Sequence, residues 1–160
     1  MTQIKDSIRV HGFFRIQITK RNSKKIEGDS GWCKNQVVDL GFQDYLSKGI
    51  AGASGAKTIT HVALGTGGAP AATDTSLAGE IMSSTQRKTA STSIISSRTI
   101  QFTAAFASSD SFLSAAANLS NVGLFNTTST NATLFAGNTF TSSSCNTNQN
   151  VNVTYQIRFS

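Results

Sequence analysis

Between Arg9 and Lys20 the even positions Val10, Phe14, Ile16 and Ile18 are apolar, whereas Arg9, His11, Arg15, Gln17 and Thr19 are polar. A period of two sends alternate side chains to opposite faces, so this stretch predicts a half-buried strand. The same alternation returns at the C-terminal end. Val151, Val153, Tyr155, Ile157 and Phe159 face one way, and Asn152, Thr154, Gln156 and Arg158 face the other. Between 99 and 107, Ile100, Phe102, Ala104 and Phe106 alternate with Thr99, Gln101 and Thr103, giving a third strand. "TITHVALG", residues 82–90, "LSNVGLFN" and "ATLFAGNTF" read as further strands, the last two joined by the polar turn "TTSTN". "KRNSKKIEGDSG" supplies turn residues around a short return strand near Ile26.

One segment has helical spacing instead. Val38, Phe42, Tyr45 and Leu46 fall at i, i+4, i+7 and i+8, which predicts one inserted α-helix near residues 35–48. Asn35 would cap its start and Gly49 would end it. About seven or eight short strands and one helix predict a mainly β chain, an antiparallel β-sandwich of jelly-roll type. A single domain spanning 1–160 accommodates all of it.

Only 14% of the residues are charged and 38% are hydrophobic, with Ser, Thr and Asn filling much of the remainder. Those residues suit turns and outer sheet faces, but edge strands without charge invite pairing with other chains, so assembly is expected. The sequence has no run of roughly 20 apolar residues and no apolar signal core near "MTQIKDSIRV", so we expect a cytoplasmically made protein with no membrane partner. Cys33 and Cys145 have no Cys or His at ligand spacing. They are expected to be two buried free thiols, with no metal and no cofactor.

The formal charge is +6, and eight of the 14 basic residues lie within the first 34 positions. The densest group, Lys20, Arg21, Lys24 and Lys25, falls on an expected hairpin tip; a solvated tip is the plain reading, and contact with an acidic partner surface is its candidate role. Nucleic acid is the weaker reading, because the aromatic residues nearby alternate into an apolar face instead of forming a stacking platform.

The stretch "HVALGTGGAPAATDTSLAGEI", His61–Ile81, raises the question of a phosphate cradle. A dinucleotide fingerprint fails at Pro70, and no lysine lies between Lys57 and Lys88 to serve a P-loop. The stretch is expected to be a structural corner. Gly65, Gly67 and Gly68 would permit positive φ, Pro70 would stiffen the exit, and Asp74 would cap a helical turn returning Leu77 and Ile81 to the core. The two histidines, His11 and His61, sit in strand patterns, and the eight carboxylates are scattered. No catalytic residue is assigned, and the chain is read as a non-enzyme.

The ordered series "VHGFFRIQI", "KNQVVDLGFQDYL", "THVALGTGGAPAATDTSLAGEI", "LSNVGLFN", "ATLFAGNTF" and "VNVTYQI" resembles small virion structural proteins of tailed bacteriophages, over about residues 9 to 159. The resemblance implies a capsid decoration or cement protein that binds the outer shell, or a head-fibre or minor tail component. The partners it implies are a major capsid protein or other virion proteins, together with copies of the chain itself, a trimer being favoured. The location it implies is the virion, after synthesis in the cytoplasm of a bacterial host. Tail, baseplate or fibre placement and a host-glycan-binding module are the alternatives. One departure is Ser120-Asn121, where an acidic residue is expected before Val122-Gly123.

Overall fold

The computed structural model describes residues 7–81 and 87–160. Ten strands are present among them: β1 Val10–Lys20, β2 Ile26–Asp29, β3 Cys33–Val37, β4 His61–Gly65, β5 Lys88–Thr89, β6 Ser91–Ser96, β7 Thr99–Phe106, β8 Ala117–Phe125, β9 Leu134–Cys145 and β10 Gln149–Phe159. All pairings are antiparallel. The order across the sheet is β5-β4-β8-β9-β3-β1-β10-β7-β6, with β2 added beside β1. The first and last strands in that order, β5 and β6, are separated in sequence by Ala90 alone. The chain therefore steps at Ala90 from one end of the wall to the other, and the sheet becomes a nearly closed barrel.

Alternation explains the half built on β1, β10 and β7. In register, Phe14, Tyr155 and Phe102 form one inward row, Ile16, Val153 and Ala104 a second, and Ile18, Val151 and Phe106 a third. All nine are buried. Phe14 stacks on Tyr155 with ring centroids 5.6 Å apart and meets Phe140 of the opposite half edge-on at 6.2 Å. Burying an aromatic or branched aliphatic side chain stabilises by about 1.5–3 kcal/mol each, so these rows supply much of the drive to fold.

The other half, β4, β8 and β9, reads differently because it is buried on both faces. Val62, Leu64, Val122, Leu124 and Ala136 join the barrel interior, while Ala63, Phe125 and Leu134 form a second cluster outside it with Val38 and Leu77. Two-sided burial is why "HVALG", "NVGLF" and "LFAG" are nearly continuous apolar runs. Ala63, Gly123 and Gly137 lie in register across the three strands. A Cβ on Gly123 would crowd Leu134 and Phe125 and touch Leu77, and one on Gly137 would stand 3.3 Å from Pro70 Cγ. This row of small residues makes room for the segment that follows β4 to lie on the sheet.

The expected helix is displaced and changed in type. Residues 33–37 continue as β3, pairing with β1 and β9, so Asn35 is a strand residue and caps nothing. Helical backbone runs from 39 to 51, mostly as a π-helix, Gly41–Ser47, followed by α1, Lys48–Ala51, and ends at Gly52 with φ 60°. Gly49 thus lies inside α1. The wider π turn rotates the expected stripe: Tyr45 is buried, but Phe42 is 45% exposed. Gly41 takes the inward place, close enough to Phe135 that a Cβ would run into its carbonyl oxygen. Part of the strand expected over 82–90 lies outside the described residues, and its remainder is β5.

Gly41→Ala is expected to destabilise the fold by about 1–3 kcal/mol through forced overpacking. Gly49→Ala, at a helical position with open space around the missing Cβ, is expected to be neutral or stabilising by up to about 1 kcal/mol. Urea unfolding of the two variants beside the parent measures both.

Candidate functional site

The four candidate contact residues are brought together at one end of the barrel. β1 ends at Lys20, whose N–H donates to Lys25 O at 3.3 Å, while Ser23 N–H donates to Lys20 O at 3.1 Å. Asn22 supplies the left-handed residue of the turn, φ 58°, a conformation that asparagine tolerates. Lys20, Arg21, Lys24 and Lys25 are all exposed. Arg21 N–H donates to Asn148 O at 3.2 Å, and Gln149 donates through Nε2 to Glu27 Oε2 at 2.5 Å, tying the tip to the β9–β10 turn. A polar groove of about 640 Å³ runs between them, lined by Lys20, Lys25, Ile26, Glu27, Asn146, Asn148 and Gln149.

Among the described residues the ion pairs are Arg15–Asp29, Lys48–Asp44, Lys57–Asp44, Arg87–Glu80 and Lys88–Asp110, and none involves Lys20, Arg21, Lys24 or Lys25. Four exposed cations on one turn repel each other and attract an anionic surface. The sequence placed these four on one turn but gave no sign that Asn146, Asn148 and Gln149 would reach the groove beside Lys20 and Lys25 from the far end of the chain. The only local signal was the polar run "NTNQN".

The histidines and the Glu80 carboxylate have structural partners. Glu80 is held by Arg87 through Nε to Oε1 at 2.8 Å and Nη2 to Oε2 at 3.0 Å. The Arg87 guanidinium also donates through Nη1 to Thr127 O and Ser129 O and lies 3.9 Å from the centre of the Phe125 ring. His11 Nε2 is 3.1 Å from Ser160 Oγ, and His61 Nδ1 is 2.7 Å from Thr60 Oγ1. Burial, with the nearby Arg87 charge, lowers the His61 pKa below its ordinary value. Both cysteines are free; Cys145 is buried and its thiol pushed up to about 11 by that burial, whereas Cys33 is only half-buried, contrary to expectation. Among the described residues no group of three His, Cys, Asp or Glu is placed to hold a metal, and no helix is long and apolar enough to cross a membrane.

The segment after β4 is a cover, built differently from the corner expected. Gly65, Gly67 and Gly68 are not at positive φ; within this segment only Gly79 is, at 60°. Gly65 and Gly67 instead permit close approach, since a Cβ on either would collide with Asn121 Oδ1 or Ala78 O. Asp74 caps no helix: its Oδ2 accepts from Ala71 N–H at 2.8 Å and closes a turn backward. Leu77 is buried on the outer face of the sheet, and Ile81 packs toward the barrel interior. Ser120 and Asn121 hold this segment on the sheet. Ser120 Oγ donates to Gly67 O at 2.9 Å, and buried Asn121 donates through Nδ2 to Gly68 O at 3.0 Å and Ala78 O at 2.9 Å. Both partners of Asn121 are carbonyls, so the position needs a donor, which a carboxylate lacks.

The chain matches no family model, no curated protein and no solved structure.

Asn121→Asp is expected to cost about 2–4 kcal/mol of stability at pH 7, because it buries a charge facing two acceptors. Chemical denaturation checks the size of the loss, and protease sensitivity between 66 and 80 checks its location. A second expectation concerns acid. Hydrogen bonds from Lys48 and then Lys57 hold the Asp44 carboxyl below its ordinary value. Asp44 therefore favours the folded state above pH 4, and that contribution fades as pH falls and the carboxyl is protonated. Stability measured from pH 6 to pH 2 should fall less steeply in Asp44→Asn than in the parent.

Proposed function

We propose that the protein is a structural component of a tailed-bacteriophage particle, acting as a capsid decoration or cement protein that binds the outer shell. The observation that carries this reading is the β1–β2 tip, where Lys20, Arg21, Lys24 and Lys25 stand exposed and free of internal ion pairs among the described residues. A rigid barrel presenting such a tip fits an acidic capsid surface. The phage-like order of segments along the chain supports the same reading. In this reading the closed wall is a flattened, jelly-roll-like sandwich, with the β4–β8–β9 half laid on the β1–β10–β7 half. Each contact would be modest. Repetition over many identical shell subunits, with the protein assembled as a trimer, would raise the effective concentration of every further contact. The barrel would serve as a spacer and clamp with no chemistry of its own.

A second reading is a host-glycan-binding module. It is favoured by the polar groove beside the tip, where the side-chain amides of Asn146 and Asn148 line the wall.

Lys24→Glu with Lys25→Glu is expected to lower occupancy on particles by about tenfold and to flatten its salt dependence. Particles lacking the protein should release DNA at lower temperature than complete ones. Density for the protein on the tail alone, in images of intact particles, would replace cementing with a tail or fibre role. Equal melting of stripped and complete particles would leave display without reinforcement. Saturable binding on a glycan array by the isolated protein, lost in the Asn148→Ala variant, would favour the second reading.

A further inference from the structure

The end of the barrel opposite the basic tip is built for a different contact. Thr99 of β7 lies beside Arg158 of β10, and Phe106 beside Val151, so the β6–β7 turn is far from Lys20 and Gln149. At this end β6 is the last strand of the sheet and pairs with β7 alone. All six of its residues, Ser91–Ser96, are exposed and none is charged. Ala90 N–H still donates to Thr60 O at 2.8 Å. Beyond it, among the described residues, the outer edge of β6 meets no backbone partner. A bulge between Ile94 and Ser96 limits the regular edge to Ser91–Ile94, enough to pair with a short strand.

A pocket of about 350 Å³ opens where β6 parts from the segment leading into β4, with Thr92 on one side and Lys57 and Thr58 on the other. Its walls are apolar: Ile59, Ile100, Phe102, Phe135, Ile157 and Phe159. The apolar surface continues outward. Ile94, on the same face of β6 as Thr92 and opposite Ile100, is 78% exposed, and Ile50, four residues beyond pocket-lining Leu46, is 87% exposed. Cations lie at this rim and beside it: Lys57, which lines the pocket, shares Asp44 with Lys48 at 2.9 and 2.6 Å and also donates to Thr133 Oγ1, while Arg98, in the β6–β7 turn, lines a neighbouring pocket with Phe159 and Ser160 and makes no ion pair among the described residues.

We propose that this end docks an extended acidic segment of another protein, added as a strand on the outer edge of β6, with one apolar side chain seated in the pocket and carboxylates beside Arg98 and Lys57. The backbone edge gives the strand its register, the pocket selects the apolar side chain, and the rim selects its charge. A second copy of this chain fits poorly, because each copy carries a formal +6 and would bring the same cationic rim. The proposal is independent of the tip at Lys20–Lys25 and adds a second contact at the other end of the barrel.

Two blocked octapeptides test it, each alternating Thr and Val around one central Leu, with Glu at both ends in one and Lys at both ends in the other. They are titrated into the isotope-labelled full chain at low salt, and backbone amide shifts are followed. The Glu peptide is expected to shift amides of Ser91–Ser96 and Ile100 with saturation below about 1 mM, at least tenfold tighter than the Lys peptide. Ile94→Asp, at an exposed position that leaves folding intact, should weaken the Glu peptide at least tenfold. Arg98→Glu should shift the preference toward the Lys peptide. Equal binding of the two peptides, shifts confined to Lys20–Lys25, or no shift up to about 1 mM would overturn the proposal. So would concentration-dependent dimerisation abolished by Ile94→Asp, since the occupant of the edge would then be a second copy.

Discussion

Closure of the sheet is the constraint on which the rest of the structure depends. β5 and β6 occupy opposite ends of the strand order, yet only Ala90 separates them in sequence. Once the chain crosses at that point, the β4–β8–β9 half must face the β1–β10–β7 half, and their inward rows share one interior. Arg87 braces the start of that crossing. Its guanidinium binds Glu80, the carbonyls of Thr127 and Ser129, and the Phe125 ring. A guanidinium buried this deeply is tolerable only because its charge is matched bidentately and its other donors are used.

The barrel has two unlike ends, a consequence of antiparallel register. β1 and β2 carry the basic tip to the end where β10 begins, and β10 returns to the end where the β6–β7 turn projects. One end is polar, cationic and grooved. The other combines an uncharged strand edge, an apolar pocket and a cationic rim. Elongated antiparallel strands separate the two surfaces without any linker, so contacts at both ends can be held in fixed relative orientation.

The outer face of the β4–β8–β9 half shows how small residues serve a fold. Ala63, Gly123 and Gly137 form a shallow row, and the segment carrying Pro70 and Leu77 lies on it, clipped by Ser120 and Asn121. A cover of this kind has little secondary structure of its own, so it depends on donors supplied by the sheet. The amide of Asn121 meets that need, as a carboxylate at the same position could not.

Period-two alternation by itself determined β1, β7 and β10, because a strand with one wet face writes its burial into every second residue. The turn residues between Lys20 and Ile26 likewise determined the hairpin and its four cations. Tertiary structure decided the rest. The stripe at Val38, Phe42, Tyr45 and Leu46 marked a helix, but residues 33–37 were claimed by pairing with β1 and β9, and the helical turn is wider than the stripe implies, with Gly41 against Phe135. No local pattern could assign positive φ to Gly79 instead of Gly65, Gly67 and Gly68, since the need for a missing Cβ arises from Asn121 and Ala78 packed against them. Asn146, Asn148 and Gln149 join the groove at the tip only because β10 lies antiparallel to β1. Periodicity is a local record of burial, whereas closure, close approach and the meeting of distant turns exist only once the strands have chosen their neighbours.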